Sequence, residues 1–196
     1  IHSRTAAEVF GVPLKDVTRE MRDRAKAVNF GIVYGISDYG LSRDLDVSRR
    51  EAGEYINNYF ARYGGVKKYM DETIATAKER GFVTTLMERR RYLPDIKSRN
   101  YTLRSFAERT AINTPIQGTA ADIIKVAMVK VFGQVKERDL DTRLLLQVHD
   151  ELIFTVPEGE LEEVKSLVRE SMEGAASLDV PLRVDLKVGE SWYGVK

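Results

Sequence analysis

Hydrophobic and polar positions alternate along most of this chain with the period of a helix, and with the period of a strand only in short stretches near its middle and end. Residues 3–10 carry a short helical pattern ended by Gly11 and Pro13. Thr18 is placed to cap a longer helix that runs to about Tyr34 and stops at Gly35. Ser48 and Glu51 make the S-x-x-E capping box of a helix reaching about Tyr63, with Gly64-Gly65 ending it. A further helix is predicted from about Val66 to Arg80, closed by Gly81. Residues 82–93 predict a short hairpin. Beyond it, a helix from about Thr102 to Asn113 is expected to break at Pro115, and a second helical pattern runs from about Gln117 to Arg138. Strands are predicted at 144–148 and 152–156, both apolar enough to be buried. A helix over about 159–173 follows, then a strand near 182–188 that leads to Trp192 and Lys196. Helices come first, then a hairpin, a helix and a strand, which is an α+β order. The first part lacks an obvious sheet and the second has too few strands to close one, so a boundary is expected near residue 100.

Composition adds exclusions. With 43% hydrophobic and 31% charged residues the chain can bury a core and keep a solvated surface. It has no cysteine and two histidines, His2 and His149, which excludes disulfides, thiolate metal sites and a histidine-rich zinc site. No apolar run has the length of a membrane span and no leader pattern opens the chain, so no membrane partner and a cytoplasmic location are expected. The chain starts at Ile1 inside a helical pattern, and it is expected to be a piece of something longer.

Charge is segregated. Between residues 89 and 109 the basic residues Arg89, Arg90, Arg91, Lys97, Arg99, Arg104 and Arg109 face only Asp95 and Glu108. Between 158 and 179 the acids Glu158, Glu160, Glu162, Glu163, Glu170, Glu173 and Asp179 face only Lys165 and Arg169. Such segregation suits a polyanion on the first surface, and it also suits two solvated faces.

Two stretches carry candidate chemistry. The first is LLLQVHDELIFTV, 144–156, which sets His149, Asp150 and Glu151 between two apolar strands. Asp150 and Glu151 are consecutive, so on a strand they point to opposite faces. A carboxylate at a rigid hairpin tip suits Mg²⁺, a hard cation that keeps several waters, and a two-metal site needs a second carboxylate from elsewhere. Asp also serves turns through its own backbone hydrogen bonds. The second stretch is RDRAKAVNFGIVYG, 22–35, in which Arg22, Lys26, Phe30 and Tyr34 recur every four residues and form a drifting stripe on one helical face. Cations suit a triphosphate and rings suit a base or sugar. Val28, Ile32 and Val33 supply another apolar surface, which leaves the stripe free for a ligand; two core rings beside two solvated cations are the other reading.

These residues resemble a known family. Arg22, Lys26, Phe30, Tyr34 and Gly35 match R-x3-K-x3-F-x3-Y-G, motif B of the family A DNA polymerases, and VHDE at 148–151 resembles their motif C. ERTAINTPIQGTAADI at 108–123 is similar to the segment that tracks the primer–template minor groove, and RRRYLPDI at 89–96 fits as well. The resemblance implies helical fingers over residues 1–100, with the nucleotide-binding helix near 18–34. It implies the carboxyl-terminal part of the palm over 101–196, an antiparallel sheet with packed helices. It implies that Arg22 and Lys26 grip the incoming triphosphate and that His2 meets its phosphates. Phe30 would pack by the sugar and Tyr34 against the nascent or template base. Asp150 would bind two Mg²⁺ ions, with Glu151 in support, and Lys26 would assist the leaving group. Arg109, Asn113, Gln117 and His149 would contact primer–template DNA. The family's motif A, which supplies a second metal-binding carboxylate, is absent, so an amino-terminal remainder of the polymerase is an expected partner. Without it, a non-catalytic nucleic-acid or nucleotide-binding module is the second reading.

Overall fold

The computed structural model describes residues 1–195; Lys196, where the last extended stretch was expected to lead, lies outside the described residues. The helices are α1 (His2–Phe10), α2 (Arg19–Val33), α3 (Asp38–Leu45), α4 (Arg49–Arg62) and α5 (Gly64–Arg80). An antiparallel hairpin follows, β1 (Phe82–Thr84) with β2 (Arg90–Tyr92). Then come the long helix α6 (Tyr101–Glu137), a second antiparallel hairpin of β3 (Arg143–Val148) and β4 (Glu151–Thr155), and α7 (Leu161–Glu173). The architecture is α+β. The chain divides into two compact units, Ile1–Ile116 and Gln117 onward, and the division falls within α6.

Caps explain where α2, α3 and α4 start. Thr18 Oγ1 accepts from Met21 N, Ser37 Oγ from Gly40 N and Ser48 Oγ from Glu51 N, each at 3.2 Å. Helix α2 ends in a paired backbone closure. Gly35 N donates to Ile32 O at 2.9 Å and Ile36 N to Gly31 O at 2.7 Å. Gly35 sits at φ 70°, where a Cβ would be strained. Behind α2, Val28 and Ile32 join Val9, Leu41, Ala52 and Tyr59 in a core shared by α1 to α4. A second cluster, Ala77, Val83, Leu93, Ile96, Ala107 and Ala111, ties α5 and the first hairpin to the start of α6. In the other unit Val164, Leu167 and Val168 of α7 bury against Val131 of α6.

The structure corrects several expectations. Gly64 and Gly65 do not end α4; they form the first turn of α5, and Tyr63 alone breaks the helical path. Helix α3 has no counterpart in the sequence reading. Pro115 does not interrupt α6, which runs continuously through it. Proline costs one donor and some bending; burial of Ala111, Ile112 and Thr114 on the preceding turn holds the helix together across it. Residues 182–188 alternate half-buried Leu182, Val184 and Leu186 with exposed Arg183, Asp185 and Lys187, yet form no strand among the described residues. Period-two burial makes a strand only when a neighbouring strand supplies the ladder; here Val184 N finds the Glu173 carboxylate instead, at 3.0 Å. The strands of the second hairpin are also less buried than their composition predicts, with Leu145 and Leu146 each 51% exposed.

Candidate functional site

Helix α2 presents the predicted stripe to solvent. Arg22 and Lys26 are exposed, and Phe30 and Tyr34 are each 48% exposed, although large rings normally seek cover. The opposite face is closed: Val28 is 0% and Ile32 2% exposed. The Phe30 and Tyr34 rings run nearly parallel, 14° apart with centroids at 6.4 Å. Lys26 Nζ stands 6.0 Å from the Phe30 centroid. Arg22 reaches its neighbour Asp23 at 3.4 Å, a weak contact between two exposed side chains.

Helix α1 adds His2 to this face. Its ring lies 5.7 Å from Phe30, and its Nδ1 is 3.1 Å from Asn29 Nδ2. Helix α1 is itself fastened to α4. The Glu8 carboxylate takes the Tyr63 hydroxyl and the Arg62 guanidinium, the latter at 3.1 Å, and Arg62 followed by Tyr63 holds its pKa below the usual carboxylate value. At the far end of the stripe, the stem of Arg109 crosses Gly35; a Cβ there would meet Arg109 Cγ at 2.8 Å. Arg109 also donates to Ser105 Oγ at 2.8 Å. One unit therefore gathers His2, Lys26, Phe30, Tyr34 and Arg109 around one helix, with Arg22 one turn before Lys26. Asn113 lies one turn beyond Arg109 on α6, and its side-chain oxygen is buried with no hydrogen-bond partner. Gln117 is exposed, four residues further along.

The basic stretch occupies the first hairpin and its surroundings. The Arg90 guanidinium sits 5.0 Å over Phe82, whose ring meets Tyr92 edge-on. Arg104 sits 5.7 Å over the Tyr101 ring and donates to Ser98 O. Glu108, one of the two acids within this stretch, is paired with Lys78 at 2.7 Å.

The residues that resemble motif C occupy the turn of the second hairpin. Val148 pairs with Glu151, which leaves His149 and Asp150 as the two turn residues. His149 takes φ 54°, unusual without glycine, and Gln147 Nε2 donates to its carbonyl at 2.9 Å. His149, Asp150 and Glu151 are all exposed. Two exposed carboxylates in succession offer the hard oxygen donors that a divalent ion takes, but no group of three His, Cys, Asp or Glu gathers among the described residues. The turn thus fits part of a metal site.

Sequence reasoning missed Asn29. The period-four stripe steps over it, since it lies 100° round the helix from Phe30. No spacing in the sequence marks it, because its partner His2 lies 27 residues away. Among the described residues no helix is long and apolar enough to cross a membrane.

Comparison with known proteins follows the same residues. A family model described as DNA polymerase family A matches residues 1–194. The chain is 59% identical to DNA polymerase I of Bacillus subtilis and 58% identical to that of Caldicellulosiruptor bescii. All of this chain is covered in both cases, against 22% and 23% of those relatives, so it spans less than a quarter of their length. Among solved structures it is similar to the POL domain of Pol1 from M. smegmatis in complex with DNA primer-template and dNTP. There the TM-score is 0.94 at 48% identity, over 99% of this chain and 34% of the other.

Proposed function

Because this chain belongs to DNA polymerase family A, we propose that it serves DNA-templated DNA synthesis within a longer polymerase, joining a deoxynucleoside triphosphate to a primer 3′-hydroxyl. The exposed face of α2 carries this reading: two cations and two rings stand on one side of a helix whose other side is buried, with His2 against Phe30. Cations ahead of rings suit a triphosphate followed by sugar and base. On this reading Arg22, Lys26 and His2 hold the phosphates, Phe30 lies by the sugar and Tyr34 by the base. Arg109, Asn113, Gln117 and His149 hold primer–template near the growing end. Residues 1–100 act as most of the fingers, and 101–196 as the carboxyl-terminal part of the palm.

Asp150 is the residue for Mg²⁺, with Glu151 in support and a further carboxylate from the amino-terminal remainder of the polymerase. When bound, two such ions ease loss of the primer hydroxyl proton and neutralise the pyrophosphate. Lys26 contributes a positive charge, or a proton, to the departing pyrophosphate. Closure of the fingers over a correct pair excludes water from these groups. With no cysteine the chain needs no oxidising compartment to fold, and we place this work in the cytoplasm.

Single-turnover primer extension by the whole polymerase tests the site. Arg22→Ala and Lys26→Ala are expected to raise the nucleotide concentration needed for half-maximal rate while leaving primer–template affinity in place. An unchanged nucleotide dependence in both variants removes α2 from the active site.

One observation favours a second reading for the chain by itself. The described residues gather no set of three metal-binding side chains, which suits a nucleic-acid or nucleotide-binding module without catalysis. Extension by the chain alone and by the chain mixed with the amino-terminal part separates the two. Activity is expected only in the mixture.

A further inference from the structure

We propose that Asn29 is a positioning residue that sets which nitrogen of His2 carries the hydrogen offered to the incoming triphosphate. The inference rests on the reading of His2 as a phosphate contact and adds to it the residue through which that contact is made.

Asn29 Nδ2 lies 3.1 Å from His2 Nδ1 and 3.1 Å from Thr5 Oγ1. An amide nitrogen has two hydrogens and no lone pair to share, so both neighbours accept from it. Thr5 is able to accept, because its own hydrogen is directed to Ile1 O at 3.4 Å. Thr5 is also buried, so its hydroxyl has little water to turn to. With Nδ1 accepting, a neutral His2 ring carries its hydrogen on Nε2. Nδ1 and Nε2 are on different sides of the imidazole. The nitrogen tied to Asn29 is therefore held toward α2, and the one with the hydrogen is left as a donor.

The ring's other neighbour is Phe30, at 5.7 Å and 44°. Asn29 and Phe30 adjoin in sequence and take two sides of the imidazole, which fixes both its place and its rotation. Lys26 stands over the same Phe30 ring. The arrangement sets one directional donor beside one mobile cation. A donor fixed in orientation discriminates where a phosphate oxygen sits, whereas an ammonium mainly supplies charge. Reversing the amide of Asn29 would make Nδ1 the donor and turn a lone pair toward the phosphates. Asn29→Leu removes the donor at about the same size and adds no charge.

The test is a double-mutant cycle in the whole polymerase, with nucleotide Kd and maximal rate read separately from single-turnover extension. Asn29→Ala is expected to weaken nucleotide binding about fivefold, roughly one ordinary hydrogen bond. Asn29→Leu should weaken it to a similar extent. The maximal rate and primer–template affinity should stay within about twofold for both. In a His2→Ala background neither Asn29 substitution should weaken nucleotide binding further. Equal losses with and without His2 would overturn the proposal while leaving the phosphate role of His2 standing, as would Asn29 variants that bind nucleotide normally. If His2→Ala itself leaves nucleotide affinity unchanged, the placement of His2 at the phosphates fails, and the role of Asn29 fails with it.

Discussion

The exposed face of α2 and the tip of the second hairpin both present polar groups to solvent, but they are supported in different ways. Behind Lys26 and Phe30 lies a closed core, with Val28 and Ile32 fully shielded and a capped start at Thr18. Each working side chain has a neighbour: Phe30 has Tyr34 and His2, and His2 has Asn29. Behind Asp150 lies a two-stranded ladder whose Leu145 and Leu146 are half exposed, and the turn is steadied by the Val148–Glu151 pair and by the bond from Gln147 to His149 O. Phe154 packs the hairpin on the α6–α7 core at the end away from the turn, whereas Val28 and Ile32 put a core directly behind the stripe of α2. The exposed face of α2 is built by its own unit. The carboxylate tip depends on whatever covers the hairpin.

The sharpest way to break this comparison is Asp150→Asn. In the whole polymerase it should lower the maximal incorporation rate about a thousandfold or more, on the order of 4 kcal/mol of barrier, with DNA affinity nearly intact. Single-turnover extension and a DNA-binding titration check both halves. A rate within a few-fold of wild type would sink the metal-ligand role. Next in size, Lys26→Ala should lower kcat/KM for nucleotide about a hundredfold, with most of the loss in nucleotide dependence. The two variants should therefore differ in kind: a loss of rate at the hairpin, and a loss of nucleotide use at the helix. Identical patterns would erase the distinction.

Smaller effects probe the supports. Gly35→Ala puts a Cβ at φ 70° and within 2.8 Å of Arg109 Cγ, so it should destabilise the first unit by about 1–3 kcal/mol in a denaturant titration. The smallest effect is on the hairpin side. The Glu160 carboxylate accepts from Thr142 Oγ1 at 2.6 Å, Asp141 N at 2.8 Å and Thr142 N at 3.0 Å, just ahead of β3. The Thr142 hydroxyl first, then the Asp141 N–H, holds its pKa below the usual carboxylate value. A group whose pKa is lower when folded stabilises the fold above its unfolded pKa and loses that contribution as pH falls through the folded one. Glu160→Gln should thus melt at lower temperature than wild type at neutral pH, and the gap should narrow in acid. A gap that widens in acid would refute the sign.

Helix starts were legible because each cap is a local matter of a few residues: Thr18 and Ser48 need only the backbone three positions on. The period-four stripe was legible for the same reason. What failed was decided at a distance. Proline at 115 reads as a break, yet tertiary burial of the preceding turn carries α6 past it. Residues 182–188 alternate like a strand, but a ladder partner is not encoded in the alternation. Helix α3 has eight residues with Gly40 inside, too short and too interrupted for periodicity to show. The Asn29–His2 bond joins residues 27 apart, and no spacing rule connects them.

The corner after α2 has a consequence for how this sequence can change over generations. A Cβ on Gly31 would meet Ile36 Cγ2 at 2.7 Å, and a Cβ on Gly40 would meet Ile36 Cγ1 at 2.8 Å. Two glycines nine positions apart thus answer to one branched side chain. Neither can be filled while that branch is in place, and shortening it first would open both. Substitutions at these positions are order-dependent: a lineage that trims residue 36 gains two routes, and one that starts at 31 or 40 meets a barrier. In a library of random variants, alanine at either glycine should be depleted alone and recover in company with Ile36→Ala.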